Sequence, residues 1–191
     1  MKVRDSGMPA EETWERFFDA QKVLTALAFE NPEADVIDFG CGYGTFTIAA
    51  AQLTEGTVHA LDIDAEMVRA TSQRAASLGL RNVRAIQRDF VANGSGLPGE
   101  STDYAMLFNI LHAEDPVSLT REAFRSLRVS GKAAVIHWIH SAATPRGPDL
   151  AIRPRPEQCR HWMREAGFEI LTGELFLPPH HYGLVGEKRR A

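Results

Sequence analysis

The stretch Val36-Ile37-Asp38-Phe39-Gly40-Cys41-Gly42-Tyr43-Gly44-Thr45-Phe46 joins a short apolar segment, with an acidic residue near its end, to three alternating glycines. Glycine adopts backbone angles that other residues rarely reach, and it has no Cβ atom. A loop of this kind can turn tightly and let a flat ligand lie directly on the backbone. The stretch therefore predicts the first strand and the ligand-binding turn of an α/β sheet.

The glycine spacing does not fit two common nucleotide-binding loops. A dinucleotide-binding fingerprint needs a further glycine where Thr45 stands. A phosphate-binding P-loop ends in Gly-Lys-Ser or Gly-Lys-Thr, and neither pair occurs in the chain. Taken alone, the glycines also fit a purely structural turn between strand and helix, so the function depends on the residues that follow.

Length and composition favour one ordinary globular domain over 1–191. The formal net charge of -4 disfavours a nucleic-acid partner. No secretory signal and no apolar run long enough to span a membrane is visible in the sequence, and Cys41 and Cys159 offer no disulfide framework. We expect a cytoplasmic protein that is a monomer or a homodimer.

Short apolar runs alternate with helical stretches from residue 35 onward, as in a doubly wound, mostly parallel sheet. The predicted strands are 35–39, 57–61, 83–87, 104–108 and 133–139, followed by a hairpin of 169–177 and 182–187. The predicted helices are 44–53, 64–78, 116–127 and 156–166, with one or two more over 11–29 that break near Asp19. Loops are expected at 93–99 and over the proline-rich segment 141–156.

The order of these motifs resembles class I S-adenosylmethionine-dependent methyltransferases. Behind the glycine loop, Asp62, Asp89 and Asn109 follow the second, third and fourth strands, and the turn at 127–132 is similar to the family's Leu-Lys-Pro-Gly-Gly. Within the class, the chain is most similar to type 11 methyltransferases near the quinone and arsenite branches. The resemblance implies a Rossmann-like, seven-stranded sheet of order 3-2-1-4-5-7-6 over 35–191, its last strand antiparallel, with cap helices in 1–30.

The same resemblance implies that S-adenosyl-L-methionine is the cofactor. A carboxylate at Asp62 suits the vicinal ribose hydroxyls, and Asp89 with Phe90 offers an acceptor for the adenine amine and apolar cover for its ring. Asp62 could alternatively cap a helix, and Asp89 could simply begin a loop. The implied cofactor-binding residues are Asp38, Gly40, Cys41, Gly42, Gly44, Asp62, Ile63, Met67, Asp89, Phe90 and Asn109.

The implied reaction is in-line transfer of the cofactor's methyl group to a small-molecule acceptor, for which the protein mainly supplies alignment. The alternative is a regulatory or partner protein that binds the cofactor without transferring methyl. If the acceptor begins protonated, His112 or His140 is the candidate base, although a lone histidine is more often structural.

Several side chains are candidates for the acceptor wall. Trp14, Phe17 and Phe18 could cover the pocket or belong to the core, and the loop 144–148 could line it. Three arginines suggest an anionic group on the acceptor, or else a solvated loop: Arg146, Arg153 and Arg155. We expect no metal site, because adjacent histidines such as 180 and 181 point to opposite faces of a strand. The two cysteines also make an arsenite acceptor doubtful.

Overall fold

The computed structural model of the protein describes residues 19–190. Its helices are α1 Ala20–Ala26, α2 Thr45–Leu53, α3 Ala65–Ser77, α4 Phe90–Asn93, α5 Pro116–Ser126 and α6 Pro156–Ala166. Its strands are β1 Val36–Phe39, β2 Val58–Asp62, β3 Val83–Gln87, β4 Thr102–Phe108, β5 Leu127–Trp138, β6 Phe168–Ile170, β7 Leu175–Leu177 and β8 His181–Lys188.

The strands form one mixed sheet in the order β3-β2-β1-β4-β5-β8-β6, with β7 also paired to β8. The pairs among β1 to β5 are parallel, and β8 runs antiparallel to β5. The Rossmann-like architecture and the spatial order expected from the sequence are therefore confirmed. Because the chain reverses its direction of strand addition at β1 and β4, the carboxyl ends of these strands border a ligand crevice.

The terminal hairpin differs from the prediction in one respect, since the segment expected as a single strand over 169–177 divides into β6 and β7. Both short strands pair with β8, one opposite residues 186–188 and the other opposite 181–183. Between them the hydroxyl of Thr172 accepts a hydrogen bond from the amide of Val185 at 3.1 Å. This side-chain contact replaces a backbone pairing, so the sheet has eight strands without any change in spatial order.

The apolar core lies in two layers, one on each face of the sheet. Side chains from α1 and α2, such as Leu24 and Phe46, pack on Val36 and Met106. On the opposite face, α5 and α6 pack on a second set that includes Ile37 and Leu107. Neighbouring residues of β1 and β4 therefore serve opposite layers, as the alternation of side chains along a strand requires.

Some element boundaries also differ from the sequence-based prediction. β5 begins at Leu127 rather than near 133, because the turn expected there remains within the strand, with Ser130 at a positive φ of 67°. The carboxylate of Asp19 accepts from the amide of Lys22, so the expected break is the N-cap of α1. Trp14, Phe17 and Phe18 lie outside the described residues.

The segment between β5 and α6 contains neither helix nor strand, as its prolines predicted. Within 19–190, no helix has both the length and the apolar character needed to cross a membrane.

Candidate cofactor and acceptor site

The glycine loop lies at the carboxyl end of β1, where the sheet order reverses. Gly40, Gly42 and Gly44 have positive φ angles of 79°, 52° and 79°, which residues with a Cβ adopt at a cost. The amides of Gly40 and Cys41 both donate to the carbonyl of Leu61 on β2, at 2.8 and 2.9 Å. These bonds position the loop against the neighbouring strand and leave its open side for a ligand.

Thr71 on α3 contacts this loop, and no sequence motif identifies it as a residue of the site. Its hydroxyl donates to the carbonyl of Gly42 at 2.9 Å and lies 3.7 Å from the sulfur of Cys41. A Cβ placed on Gly44 would lie only 2.8 Å from the same hydroxyl oxygen. The thiol of Cys41 is buried, which raises its pKa, so the side chain packs rather than reacts.

Asp38 lies beneath the loop with only 3% of its surface exposed. One carboxylate oxygen accepts a 2.6 Å hydrogen bond from the hydroxyl of Thr47, which lies in the first turn of α2. Burial raises the pKa of Asp38 to about 7, and the charge of nearby Asp62 adds to this effect, although the Thr47 bond opposes it. Asp38 is thus a carboxyl group whose ionisation a cationic ligand would favour.

Asp62 ends β2 and faces the glycine loop. Its Oδ2 accepts from the amide of Gly42 at 2.9 Å, and its Oδ1 accepts from the amide of Asp64 at 3.0 Å. Each oxygen keeps a lone pair, so the carboxylate can still accept two hydroxyl donors. Burial raises its pKa. The helix cap expected of Asp64 is present, since its Oδ1 accepts from Glu66 at 2.7 Å.

Apolar groups flank Asp62 on the predicted adenine side. Ile63 has 42% of its surface exposed, and Met67 is half-buried in the first turn of α3. The ring of Phe90 contacts Phe39 edge to face, 5.4 Å between centroids. Asp89 caps the short α4 by accepting from Ala92 at 3.0 Å. This cap accounts for one oxygen of Asp89, and its predicted contact with an adenine amine stays a prediction.

Asn109 follows β4 and bends back toward the glycine loop. Its φ is 56°, and its amide donates to the carbonyl of Ile136 at 2.8 Å. Its side-chain oxygen and nitrogen are both inaccessible to solvent and have no hydrogen-bond partner. Buried polar atoms in proteins are rarely left without such a partner. The next residue, Ile110, packs on Gly40: a Cβ added to Gly40 would lie 2.9 Å from the Cγ2 atom of Ile110.

His112 lies two residues beyond this contact and pairs with a histidine that the sequence did not single out for catalysis. Its Nδ1 is 3.3 Å from Nε2 of His137, which lies on β5 directly after the carbonyl that binds Asn109. His137 is fully buried, whereas His112 is half-buried. Burial lowers the pKa of His112 to about 4 and lowers that of His137 well below its usual value.

His140 and the arginines of the following loop have a different surrounding. The ring Nδ1 of His140 lies 3.0 Å from the carbonyl of Arg153. The guanidinium of Arg153 is itself buried and donates to several acceptors of its own loop: the carbonyls of Ile139, Ser141, Arg146 and Pro148 and the hydroxyl of Thr144. Arg153 therefore organises the loop and is not a donor for the anionic acceptor group considered above, whereas Arg146 and Arg155 are exposed.

We expect replacement of Arg153 by methionine to lower the free energy of unfolding by about 2 kcal/mol, because several buried carbonyls lose their donor. The loop over 141–152 should then be cleaved faster by a protease under native conditions. Chemical denaturation and limited proteolysis measure the two effects. Arg146→Met, in the same loop but exposed, is the matched control, and an equal response of both variants would contradict this role of Arg153.

Within the described part of the chain, no three His, Cys, Asp or Glu side chains are grouped so that they could bind a metal ion. Cys41 and Cys159 are both free and buried.

Comparison with known proteins identifies the family. Residues 30–167 match the family profile described as "Methyltransferase domain". The chain belongs to this family. S-adenosylmethionine is the cofactor of the methyltransferases whose fold it shares.

Two curated relatives of this methyltransferase-domain protein differ in the acceptors that their names state. A ribosomal protein L11 methyltransferase of Methylococcus capsulatus is 41% identical over 106 residues, which cover 56% of this chain and 33% of that protein. The aklanonic acid methyltransferase DauC of a Streptomyces species is 28% identical over 137 residues, covering 65% of this chain and 61% of DauC. The chain thus spans between a third and three fifths of the length of these two relatives.

Solved structures share the fold over nearly the whole chain. An S-adenosylmethionine-dependent methyltransferase from Aquifex aeolicus superposes with a TM-score of 0.81 at 22% identity and covers 92% of each chain. The [4+2]-cyclase SpnF superposes with a TM-score of 0.77 at 18% identity, covering 99% of this chain and 86% of the cyclase.

The residues of this methyltransferase domain fit the cofactor. Asn109 and the hydroxyl of Thr45, at the first turn of α2, present buried polar atoms without hydrogen-bond partners at the same edge of the sheet. Three glycines with positive φ leave backbone accessible, and Ile63 exposes an apolar surface beside Asp62. A ligand with hydroxyls, an amine and a flat ring would complement this combination of groups.

Proposed function

We propose that the protein is an S-adenosylmethionine-dependent methyltransferase that acts on a small-molecule acceptor. The observation that carries the proposal is the carboxylate of Asp62, oriented by two loop amides with lone pairs remaining on both oxygens. In this proposal it accepts the two ribose hydroxyls. Ile63, Met67 and Phe90 cover the adenine, and Asp89 accepts from its amine.

The methionine end of the cofactor would lie over the glycine loop, between Asp38 and Asn109. Asp38 would neutralise positive charge there, and the side-chain carboxamide of Asn109 would gain the hydrogen-bond partners that it lacks. The bound cofactor supplies a methyl group activated by its sulfonium. The chain's own task is then to align an acceptor with that group and to exclude water.

A small-molecule acceptor is favoured over a protein acceptor by the ordered segment that follows the carboxyl end of β5. The buried Arg153 fixes the conformation of this segment by donating to carbonyls within it. An ordered segment at this end of the sheet can form one wall of a pocket for a small acceptor. The relative that acts on aklanonic acid also matches a larger share of its own length than the relative that acts on a ribosomal protein. The family match gives no support to a non-catalytic binding protein.

We expect Asp62→Ala to weaken S-adenosylmethionine binding by about a hundredfold, because two hydrogen bonds to a charged group are lost. Isothermal titration calorimetry measures the change. Asp64→Ala is the matched control, since it removes the helix cap in the same turn but no proposed ligand contact. Equal loss in both variants would mean that the turn, and not the Asp62 carboxylate, determines affinity. No binding by the unmutated protein would refute the proposal.

Methyl transfer itself is tested by release of S-adenosylhomocysteine. A panel of phenols, quinols, thiols and small carboxylates should include an acceptor that the protein turns over, and a recombinant ribosomal protein is the contrasting substrate. Turnover of the protein substrate alone would refute the small-molecule acceptor.

A further inference from the structure

Among residues 19–190, the pair His112 and His137 beside Asn109 is a titratable cluster that the proposed cofactor binding does not use. His137 follows Ile136, whose carbonyl binds the Asn109 amide, and His112 follows the loop that packs on Gly40. Both imidazoles therefore lie at the edge where the methionine end of the cofactor is proposed to bind. With the cofactor placed as proposed, the pair would lie on the side of the site where the transferred methyl group is expected.

The surroundings of the pair favour two neutral rings. His137 is fully buried among apolar side chains of the α5 and α6 layer and stacks on the ring of Tyr182, 6.4 Å between centroids. The hydroxyl of Tyr182 is directed elsewhere, since it donates to the carbonyl of Pro154 at 3.0 Å. The charged or titratable groups that act on His137 are His112, His181 on β8 and Arg153, and all of them oppose a positive charge on it.

In a neutral pair, one ring must donate the shared hydrogen bond and the other must accept it. If His112 donates through Nδ1, its Nε2 carries a lone pair on the half-exposed ring. On gaining a proton there, His112 keeps the same hydrogen bond to His137. The proton stays on His112, because His137 is more deeply buried and the charge of Arg153 opposes a proton on it.

We infer that His112 is the general base of the reaction and that His137 is the positioning residue that fixes its tautomer. The inference rests on the proposed methyltransferase function and deepens it, because it assigns the acceptor to those that begin protonated: a hydroxyl, a thiol or a carbon acid. Nε2 of His112 takes the proton of the acceptor's X–H bond. The electron pair of that bond forms the new bond from X to the methyl carbon, the sulfur–methyl pair stays on the departing thioether, and His112 returns its proton to water.

The tautomer is tested without any acceptor. Protein labelled with ¹⁵N in its seven histidines is examined by long-range proton–nitrogen correlation at pH 7.5, and His112→Gln assigns the signal. We expect a protonated Nδ1 and an unprotonated Nε2 for His112. In His137→Leu, the Nδ1–H preference should be lost while the fold, followed by circular dichroism, persists. The opposite tautomer in the unmutated protein would overturn the inference.

The base is tested with a series of phenols or thiols of falling pKa. We expect His112→Gln to lower kcat about a hundredfold for an acceptor that is protonated at the assay pH. For an acceptor already ionised in solution, the loss should fall below about threefold, because no proton needs removal. His161→Gln, an exposed histidine on α6, should behave as the unmutated protein does.

The possible outcomes distinguish the general-base role of His112 from the proposed methyl transfer. Turnover with a uniform loss across the series would overturn the general base and leave methyl transfer intact. Binding of S-adenosylmethionine with no turnover of any acceptor would overturn methyl transfer, and the base with it.

Discussion

Replacing Asp38 by asparagine should raise the free energy of unfolding of the ligand-free protein at pH 8 by up to about 4 kcal/mol. The carboxyl is almost fully buried, and its pKa is raised from 3.8 to about 7. At pH 8 the native protein must therefore carry a buried negative charge that asparagine lacks. The Thr47 hydroxyl can still donate to an asparagine oxygen, so the substitution removes the charge without removing that bond.

The sign of the pH dependence follows from proton linkage. Between about pH 4 and pH 7, the native state keeps a proton on Asp38 that the unfolded chain has lost. Stability of the unmutated protein should therefore fall as the pH rises through this window and level off above about 7. Asp38→Asn lacks this contribution, so the difference between the two proteins should be near zero at pH 4 and largest at pH 8. Urea denaturation across this range measures it.

The affinity for the cofactor should change with pH in the opposite direction to the stability. A cationic ligand beside Asp38 favours the ionised carboxylate, so affinity for S-adenosylmethionine should increase with pH up to about 7 in the unmutated protein. In Asp38→Asn, affinity should be lower and independent of pH over the same range. A variant that is more stable at pH 8 yet binds as tightly as the unmutated protein would contradict a role of Asp38 in binding.

Glu122 provides a control whose pH dependence has the opposite sign. Partial burial alone would raise its pKa, but hydrogen bonds from Arg125 and Ser95 outweigh this and hold the pKa at about 2. Its ionised form therefore stabilises the native state above the usual glutamate pKa. The Glu122→Gln variant should have a lower free energy of unfolding than the unmutated protein at neutral pH and nearly the same value at pH 2. Its affinity for the cofactor should be unchanged.

The sequence predicted those features that depend on neighbouring residues along the chain. The β1 strand, the glycine turn and the cap at Asp64 each depend on local composition, and each is present; the break expected at Asp19 is a helix N-cap. The spatial order of the strands was implied by the resemblance to class I methyltransferases, and the sheet has that order. The division of the last hairpin into two short strands could not be predicted from the sequence. It depends on the hydroxyl of Thr172, which accepts a hydrogen bond from a strand residue 13 positions away.

The supporting groups of the site could not be read from the sequence for the same reason. Thr71 meets the glycine loop from a helix 29 residues further along the chain, and His137 meets His112 across 25 residues. Nothing in the local pattern of either residue distinguishes it from an ordinary core position. Arg153 shows the converse case, in which a promising charge is used entirely within its own loop.

Replacing Gly44 by alanine should lower the free energy of unfolding by about 3 to 4 kcal/mol and abolish measurable cofactor binding. Two costs add at this position. The φ of 79° strains any residue with a Cβ, and the new methyl would lie 2.8 Å from the hydroxyl oxygen and 3.2 Å from the Cβ of Thr71. Because Thr71 also binds the Gly42 carbonyl, its displacement would move the backbone that the cofactor contacts.

A substitution at Gly79 distinguishes backbone strain from the clash with Thr71. Gly79 has a similar φ of 70°, but no atom lies within 4 Å of an added Cβ. Gly79→Ala should cost only about 1 kcal/mol, the backbone strain alone, and should not change cofactor binding. The remainder of the Gly44 effect then measures the contact with Thr71. In the double variant Gly44→Ala, Thr71→Ala, part of the lost stability should return, because the nearest two atoms are removed while the Thr71 Cβ remains. Equal losses at Gly44 and Gly79, with no coupling to Thr71, would mean that backbone conformation alone requires glycine in the loop and that α3 does not position it.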